Sequence, residues 1–250
     1  AITLAPGGRY EDIDLVLIRE NTEGLYVGVE HYIGVGDDPR AAAESVMIVT
    51  RHGIERIVRY AFEYAVTHNR KKVTLAHKAN ILKFTQGLFL DIGKQIAKEY
   101  EGRIEYEDRI IDATAMWLVL DPYKFDVLVM ENMFGDILSD LGAGLIGGMG
   151  FAPSADIGDE HAVFQPSHGT APDIMGTGKA NPTAMLLSAA LMLDWLADRN
   201  GVEACARGAR LLQGAVEDGL REGRFRTFDM GGTSTTGDVT KAVIEAIRRG

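Results

Sequence analysis

The sequence predicts an α/β protein built from parallel β-α-β units. Short apolar runs typical of strands, at 13–18, 72–77 and 125–130, alternate with segments whose apolar residues recur at helical spacing. A crossover helix carries the chain back to the edge at which the previous strand began. The alternation therefore predicts parallel pairing.

Composition limits the classes of protein that this chain can be. Its 250 residues are 46% apolar and 25% charged, as in ordinary globular proteins, and suffice for one large or two small domains. The longest apolar runs fall far below the roughly 18–20 residues of a membrane span, so we expect no membrane insertion. A net charge of −10 argues against a nucleic-acid partner. The single cysteine, Cys205, and a start without a visible secretion signal predict a cytoplasmic protein.

The elements of the first half follow in order. A helix is predicted over 51–66, where one face carries Ile54, Ile57, Val58, Ala61, Phe62 and Ala65. A second helix is predicted over 84–99, and the ambiguous segment 113–120 favours a helix. Segment 26–50 has two β-rich ends around a Gly-Asp-Asp-Pro centre, which predicts a hairpin, either for oligomerisation or simply on the surface.

The second half predicts three helices. The first starts at Asn181-Pro182, with the proline in its first turn, and runs to about Ala197. The second covers about 202–220, and the last runs from near Thr236 to the basic pair at 248–249. The glycine-rich stretch 142–150 is the plausible boundary, which gives domains at 1–146 and 147–250.

The motif 132-NMFGDILSDLGAG-144 places two carboxylates on one helical face, because Asp136 and Asp140 are four residues apart. Like charges at this spacing repel mildly, and a hard divalent cation such as Mg²⁺ or Mn²⁺ would reverse that effect. A solvated acidic face is the alternative. The position of the two carboxylates favours a metal site over a solvated face, since they directly follow a buried strand, where open α/β sheets bind ligands.

The literal G-x-G-x-x-G at 142–147 is not interpreted as a dinucleotide fingerprint. That motif requires a strand immediately before its first glycine and a helix starting there. Here the preceding strand ends near Met130, and the helix that carries Asp136 intervenes.

Three further motifs place polar residues at strand or helix ends. Backbone amides in 168-HGTAPDIMGTGKANP-182 could approach phosphates, and Asp173 could accept from a ribose; a plain glycine-rich loop is equally compatible. Lys78, in 76-AHKANILKFTQG-87, follows a strand. Arg19, in 19-RENTEGLY-26, could clamp a carboxylate, and Tyr26 could donate a proton.

Together these motifs resemble the β-decarboxylating dehydrogenase family of isocitrate, homoisocitrate, 3-isopropylmalate, tartrate and D-malate dehydrogenases. The resemblance extends over nearly the whole chain and includes APSADIGD at 152–159. It implies the fold of isocitrate and isopropylmalate dehydrogenases: a mixed, mostly parallel sheet in three α/β/α layers, two subdomains and a dimerisation arm. It also implies an oxidoreductase acting on a CH–OH group.

The resemblance assigns roles to residues of this chain. Tyr26, Lys78 and Asp112 are expected to be catalytic, and Arg19 and Asn21 to bind substrate. The expected metal ligands are Asp136, Asp140 and, from a partner subunit, Asp112. The expected cofactor-binding residues are His168, Gly169, Thr170, Ala171, Asp173 and Asn181. The arm at 26–50 implies a homodimer whose active site is shared between the subunits.

The implied cofactors are NAD and Mg²⁺ or Mn²⁺. Asp173 lies where NADP-dependent relatives carry a lysine, and a carboxylate accepts from a free ribose hydroxyl but repels a 2′-phosphate. Ile174 and Ala180 also match the NAD pattern. Lys179 favours NADP instead, because a cation attracts the 2′-phosphate. The segment 228-FDMGG-232 contains no basic residue of its own, although Arg226 is close to it.

The RENTEG form favours a 2-hydroxy di- or tricarboxylic acid, isocitrate or homoisocitrate. The alternatives are 3-isopropylmalate, D-malate or tartrate and, outside the enzymes, a non-catalytic regulatory subunit. In the family a further N-terminal segment precedes the first motif and carries the residues that recognise the variable group of the substrate. We expect that segment to complete the larger domain.

Overall fold

The structure, a computed structural model, describes residues 10–249 and divides them into two compact units. One unit comprises residues 14–141, and the other comprises 142–249 with 10–13. The division falls between residues 141 and 142, whereas the sequence suggested 146 and 147. The two units are described separately below.

The first unit alternates strands and helices as predicted. Its elements are β1 (Val16–Arg19), β2 (Glu30–Val35), β3 (Asp38–Ser45), α1 (Arg51–Thr67), β4 (Lys72–His77), α2 (Thr85–Ala97), β5 (Glu105–Ile110), α3 (Ile111–Leu120) and β6 (Val127–Met130). Helix α4 (Asn132–Leu145) follows and continues past residue 141. The ambiguous segment 113–120 is helical, within α3.

Four strands of this unit form one parallel sheet in the order β1-β6-β4-β5. The α/β class with parallel units is therefore confirmed. The expected mixed character does not arise within this sheet: among the described residues, antiparallel pairing occurs in two separate two-stranded ribbons and in one isolated bridge between Gly24 and Ile48.

Strand β6, in the interior of the sheet, consists entirely of apolar residues and is buried on both faces. Val127 and Val129 pack in a core with Val58, Phe62 and Phe89 of α1 and α2. Successive strand residues point to opposite faces, so Leu128 and Met130 project the other way, and both are fully buried as well. Burial on both faces is what a three-layer α/β/α arrangement requires.

The predicted hairpin at 26–50 is present. Strands β2 and β3 pair antiparallel, with an irregularity between Ile33 and Val35. Every residue of both strands is exposed, including the large apolar side chains of Tyr32, Ile33 and Val35. The hairpin thus carries apolar surface that nothing in its own unit covers.

The second unit contains β7 (Pro153–Ile157), β8 (Ala162–Pro166), α5 (Thr183–Asn200), α6 (Glu203–Arg221) and α7 (Thr236–Arg249). All three predicted helices are confirmed. The start of the first differs by one detail: Pro182 lies just outside α5, and the Asn181 side chain accepts a hydrogen bond from the Thr183 amide at 3.0 Å. Within residues 10–249, no helix has the length and apolarity needed to cross a membrane.

Candidate active site

The polar motifs meet at one edge of the parallel sheet. Arg19 is the last residue of β1, Lys78 follows β4, Asp112 lies just after β5 and Asn132 just after β6. The carboxyl ends of parallel strands share an edge, and open α/β sheets bind ligands there. At this edge the side chains form two groups, one at β1 and β6 and the other at β4 and β5.

We call the first group, Arg19, Tyr26, Asn132 and Asp136, the arginine cluster. Nη1 of Arg19 donates to Oδ1 of Asp136 at 2.6 Å. Nε and Nη2 of Arg19 both donate to Oδ1 of Asn132, at 3.0 and 2.8 Å. The Tyr26 hydroxyl donates to Oδ2 of Asp136 at 3.0 Å. The guanidinium is thereby fixed in plane, and both oxygens of Asp136 are engaged.

Residues at the start of α4 hold this cluster. The Glu131 carboxylate, 1% exposed, accepts from the Met133 and Phe134 amides at 3.3 and 3.1 Å. Burial raises the pKa of Glu131, against the lowering effect of these amides. Position 135 requires glycine because the Arg19 side chain packs directly against its Cα. A Cβ there would overlap with Cγ of Arg19. The Arg19 side chain can therefore lie against the helix only over a glycine.

The RENTEG turn is held from several sides. Oε1 of Glu20 accepts from Nη2 of Arg56 at 3.0 Å and from the Thr22 amide at 2.7 Å. The Asn132 side chain donates to the backbone carbonyl of Glu23 at 3.1 Å, which ties the turn to α4. Asn21, predicted to bind substrate, lies exposed in this turn.

We call Lys78 and Asp112 the lysine pair. Nζ of Lys78 donates to Oδ1 of Asp112 at 2.5 Å, and the side chains are 27% and 64% exposed. The hydrogen bond from Lys78 lowers the pKa of the Asp112 carboxyl. The amide of Lys78 donates to Oε1 of the fully buried Gln86 at 3.3 Å, and the amide of Ala79 donates to Nδ1 of His77 at 3.1 Å. The partly exposed Lys78 side chain therefore extends from a turn whose backbone amides are hydrogen-bonded.

The predicted metal ligands do not all come together within one chain. Asp136 and Asp140 are both exposed on α4, one turn apart. Asp112 lies with Lys78 instead, and residues 10–249 contain no cluster of three or more acidic, histidine or cysteine side chains suited to a metal. One chain thus offers Asp136 and Asp140 at one place, and Asp112 beside Lys78.

The proposed cofactor loop lies in the second unit. Gly169, Thr170, Ala171 and Asp173 are exposed, and Asp173 is the second residue of a short 3-10 helix over 172–174. Nδ1 of His168 donates to the Gly169 carbonyl at 2.8 Å. In the neutral ring, Nε2 is then the acceptor.

The end of this loop is tied to the segment before α7. The Asn181 side chain donates to Oδ2 of Asp229 at 2.9 Å. Thr236 donates through its amide to the Gly178 carbonyl at 2.8 Å and through its hydroxyl to the Ala180 carbonyl at 2.5 Å. Nζ of Lys179 lies 5.1 Å from the centre of the Phe228 ring, within the range of a cation–π contact.

Sequence reasoning missed several residues that organise these sites. Asn132, His77 and Gln86 lie inside motifs that were recognised, and Glu131 directly precedes one, yet their roles depend on distances across the fold. Their polarity beside apolar strands was the available indication. The rejected G-x-G-x-x-G lies where it was expected: Gly142 and Gly144 are inside the last turns of α4, not between a strand and a helix start.

Comparison with known proteins identifies the family. The family model for isocitrate/isopropylmalate dehydrogenase matches residues 5–247. The 3-isopropylmalate dehydrogenase of Archaeoglobus fulgidus is 49% identical over 91% of this chain and 65% of its own length. A mitochondrial NAD isocitrate dehydrogenase catalytic subunit of Arabidopsis thaliana is 48% identical over 95% of this chain and 60% of its own length. The chain thus spans less than two thirds of these relatives.

A solved structure agrees with these relatives. The isocitrate dehydrogenase crystal structure from Methylococcus capsulatus superposes with a TM-score of 0.90 and 50% identity, over 99% of this chain and 71% of that one. This chain therefore resembles these proteins in both sequence and three-dimensional structure. The chain belongs to the isocitrate/isopropylmalate dehydrogenase family.

Proposed function

We propose that the protein oxidises and decarboxylates a 2-hydroxy acid with a β-carboxylate, using NAD and Mg²⁺ or Mn²⁺, and that isocitrate or homoisocitrate is the substrate. The observation that carries the proposal is the shared sheet edge. There an arginine fixed in plane, a tyrosine hydroxyl, a lysine and acidic side chains follow four parallel strands.

The donor set at α4 suits a hard divalent cation. Asp136 and Asp140 supply exposed carboxylate oxygens from one helical face, which are the ligands that Mg²⁺ and Mn²⁺ prefer. Such an ion, when bound, polarises the substrate hydroxyl and stabilises the negative charge that develops after CO₂ leaves.

Arg19 would exchange partners when substrate binds. Its Nη1 now pairs with Oδ1 of Asp136 at 2.6 Å, and a substrate carboxylate could take that position if Asp136 served as one of the residues that would hold the cation. Asn132 keeps Nε and Nη2 in place during the exchange. A planar guanidinium held in this way grips a carboxylate through two parallel hydrogen bonds.

Proton transfer is assigned to the remaining polar residues. Lys78, with Asp112 beside it, accepts the proton of the substrate hydroxyl. Tyr26 donates a proton to the carbon that has lost CO₂. The pKa of Tyr26 is raised chiefly by its hydrogen bond to Asp136, so the hydroxyl carries its proton at neutral pH.

We propose a homodimer in which two copies complete each site. The exposed apolar hairpin of β2 and β3 supplies surface for a second copy. The separation of the lysine pair from the carboxylates of Asp136 and Asp140 supports a site that takes Lys78 and Asp112 from the other copy.

Asp173 would hold the ribose hydroxyls in the adenosine half of NAD, which would supply the hydride acceptor when bound. The exposed carboxylate of Asp173 would repel a 2′-phosphate. The contact of Lys179 with Phe228 gives that ammonium a partner other than phosphate, which weakens its argument for NADP.

A second candidate is 3-isopropylmalate dehydrogenase, favoured by the 49% identity to the Archaeoglobus fulgidus enzyme of that name. D-malate or tartrate would require the same chemistry. The presence of Tyr26, Lys78, Asp112, Asp136 and Asp140 argues against a non-catalytic regulatory subunit.

The test is NADH formation by the complete protein with isocitrate, homoisocitrate, 3-isopropylmalate, D-malate and tartrate, with Mn²⁺ or with EDTA. We expect NADH from isocitrate or homoisocitrate in the presence of Mn²⁺ only. Activity that survives EDTA would refute the metal assignment. Faster turnover of 3-isopropylmalate than of the two tricarboxylates would favour the second candidate.

A further inference from the structure

We propose that His77, as a neutral imidazole protonated on Nε2, is the positioning residue of Lys78. This inference rests on the proposed function of Lys78 as the proton acceptor. His77 is the last residue of β4, directly before Lys78, and is 5% exposed. It contacts the turn on one side and the neighbouring strand β5 on the other.

The tautomer follows from the hydrogen bond with Ala79. The Ala79 backbone amide can only donate, and it lies 3.1 Å from Nδ1 of His77. Nδ1 must therefore be the acceptor and carry no proton. In a neutral ring the proton is then on Nε2, and the ring is fixed in one tautomer.

The other side of the ring anchors the turn to the sheet. Nε2 lies 3.3 Å from Oδ1 of Asp108, and the other oxygen of Asp108 lies 3.6 Å from the ammonium of Lys94. Asp108 is part of β5, the strand that leads directly to Asp112. The imidazole thus connects the turn that bears Lys78 to the strand that places the partner of Lys78.

Lys78 is held on both sides by this arrangement. Its own amide is bound by buried Gln86, and the next amide, that of Ala79, by His77. With two successive amides hydrogen-bonded, the backbone from which the Lys78 side chain extends is fixed, and Nζ reaches Asp112 from it. Rotation or replacement of the His77 ring would remove the acceptor of the Ala79 amide, and the turn that carries Lys78 would become more mobile.

The experiment compares two substitutions that each preserve one end of the imidazole. In His77→Asn the side-chain oxygen can take the place of Nδ1 and accept from Ala79. In His77→Gln the longer amide can reach Asp108 but does not present an acceptor to Ala79. His52→Asn, on the exposed start of α1, is the control.

Three readouts are taken on the complete protein. Selective ¹⁵N labelling of histidine in the unsubstituted protein reports the tautomer and requires no variant. Hydrogen exchange reports protection of the Ala79 amide, and mass spectrometry reports the rate at which an acylating reagent modifies Lys78. Activity is measured as kcat and KM with the best hydroxy acid.

We expect an unprotonated Nδ1 and a protonated Nε2. His77→Gln should lose Ala79 protection, change the acylation rate of Lys78 and lower kcat by up to about 100-fold, the effect of a misplaced reacting group, with KM little changed. His77→Asn should retain most of each property.

Several outcomes would overturn the inference: a protonated Nδ1, wild-type kcat and Lys78 reactivity in His77→Gln, or equal losses in both variants. If no hydroxy acid is oxidised, the proposed function fails. The tautomer, exchange and acylation results still decide the geometry of His77, so the two failures are distinguishable.

Discussion

The arginine cluster and the lysine pair occupy the same sheet edge but are held differently. In the arginine cluster the functional side chains themselves are fixed. The buried Asn132, 2% exposed, accepts two hydrogen bonds from Arg19, and the absence of a Cβ at Gly135 leaves room for the aliphatic part of the Arg19 side chain. In the lysine pair the fixed part is the backbone of the turn. The Lys78 side chain, 27% exposed, extends from it to Asp112 through one hydrogen bond.

The difference indicates two kinds of task. A group that must grip a carboxylate in a defined plane gains from complete preorganisation. A group that reaches toward a second copy gains from a fixed base and a mobile end.

Removing a metal carboxylate has the largest expected effect. Asp136→Asn leaves Arg19 without its ionic partner and removes one of the carboxylates that would hold the cation, so kcat should fall by more than the roughly 10–100-fold that loss of an outer-shell group costs. Asp91→Asn, exposed on α2, serves as control. Retention of Mn²⁺-dependent turnover by Asp136→Asn would remove this residue from the metal site.

Removing the side-chain amide of Asn132, which contacts both Arg19 and the RENTEG turn, should have the next largest effect. Asn132→Leu leaves two donors of Arg19 and the Glu23 carbonyl without their partner, and we expect KM for the hydroxy acid to rise about 10–100-fold. Asn132→Asp retains the acceptor and should recover most of the affinity. Equal steady-state kinetics in the two variants would argue against orientation by Asn132.

Cofactor preference should change more modestly. Asp173→Lys replaces the ribose acceptor with a cation, so the ratio of kcat/KM for NAD to that for NADP should fall several-fold. Asp159→Lys, which changes the charge of the same unit outside the loop, is the control. An unchanged ratio in Asp173→Lys would show the ribose assignment to be wrong.

Two glycines of α4 provide a matched pair with smaller effects. Alanine is favoured over glycine by about 1 kcal/mol within a helix. Gly144→Ala meets no atom within 4 Å and should raise the free energy of unfolding by up to that amount. Gly135→Ala places a Cβ against Arg19 and should raise KM without this gain. Denaturant unfolding and steady-state kinetics measure both; identical behaviour would contradict the close approach.

The smallest expected effect is on a titration. The Tyr26 pKa is raised chiefly because its hydroxyl donates to the Asp136 carboxylate. Asp136→Asn should therefore lower the pKa of Tyr26 toward its ordinary value, so that phenolate forms at lower pH. Ultraviolet titration, with the matching Tyr26→Phe protein subtracted, measures this shift; a constant pKa would exclude the hydrogen bond as its cause.

The fold was predictable where apolar pattern decides it. Strands β4 and β6 and helices α1, α5, α6 and α7 were visible, because one or both of their faces are apolar. Strand β5 was not, since EYEDRI carries four charged residues of six, and its pairing with buried β4 overrides that pattern. Motifs predicted which residues lie at the sheet edge. Which side chain orients which could not be predicted, because the contacts of Asn132 with Arg19 join residues more than a hundred positions apart.

The most direct test of a site shared between two copies is subunit complementation. Asp136→Asn and Lys78→Ala are each produced as inactive complete proteins, then dissociated and mixed. A heterodimer with a shared site regains one intact site of two, so random reassembly predicts about a quarter of wild-type activity. Absence of recovery in a mixture proven to contain heterodimers would contradict the account, since Lys78 would then act only within its own chain.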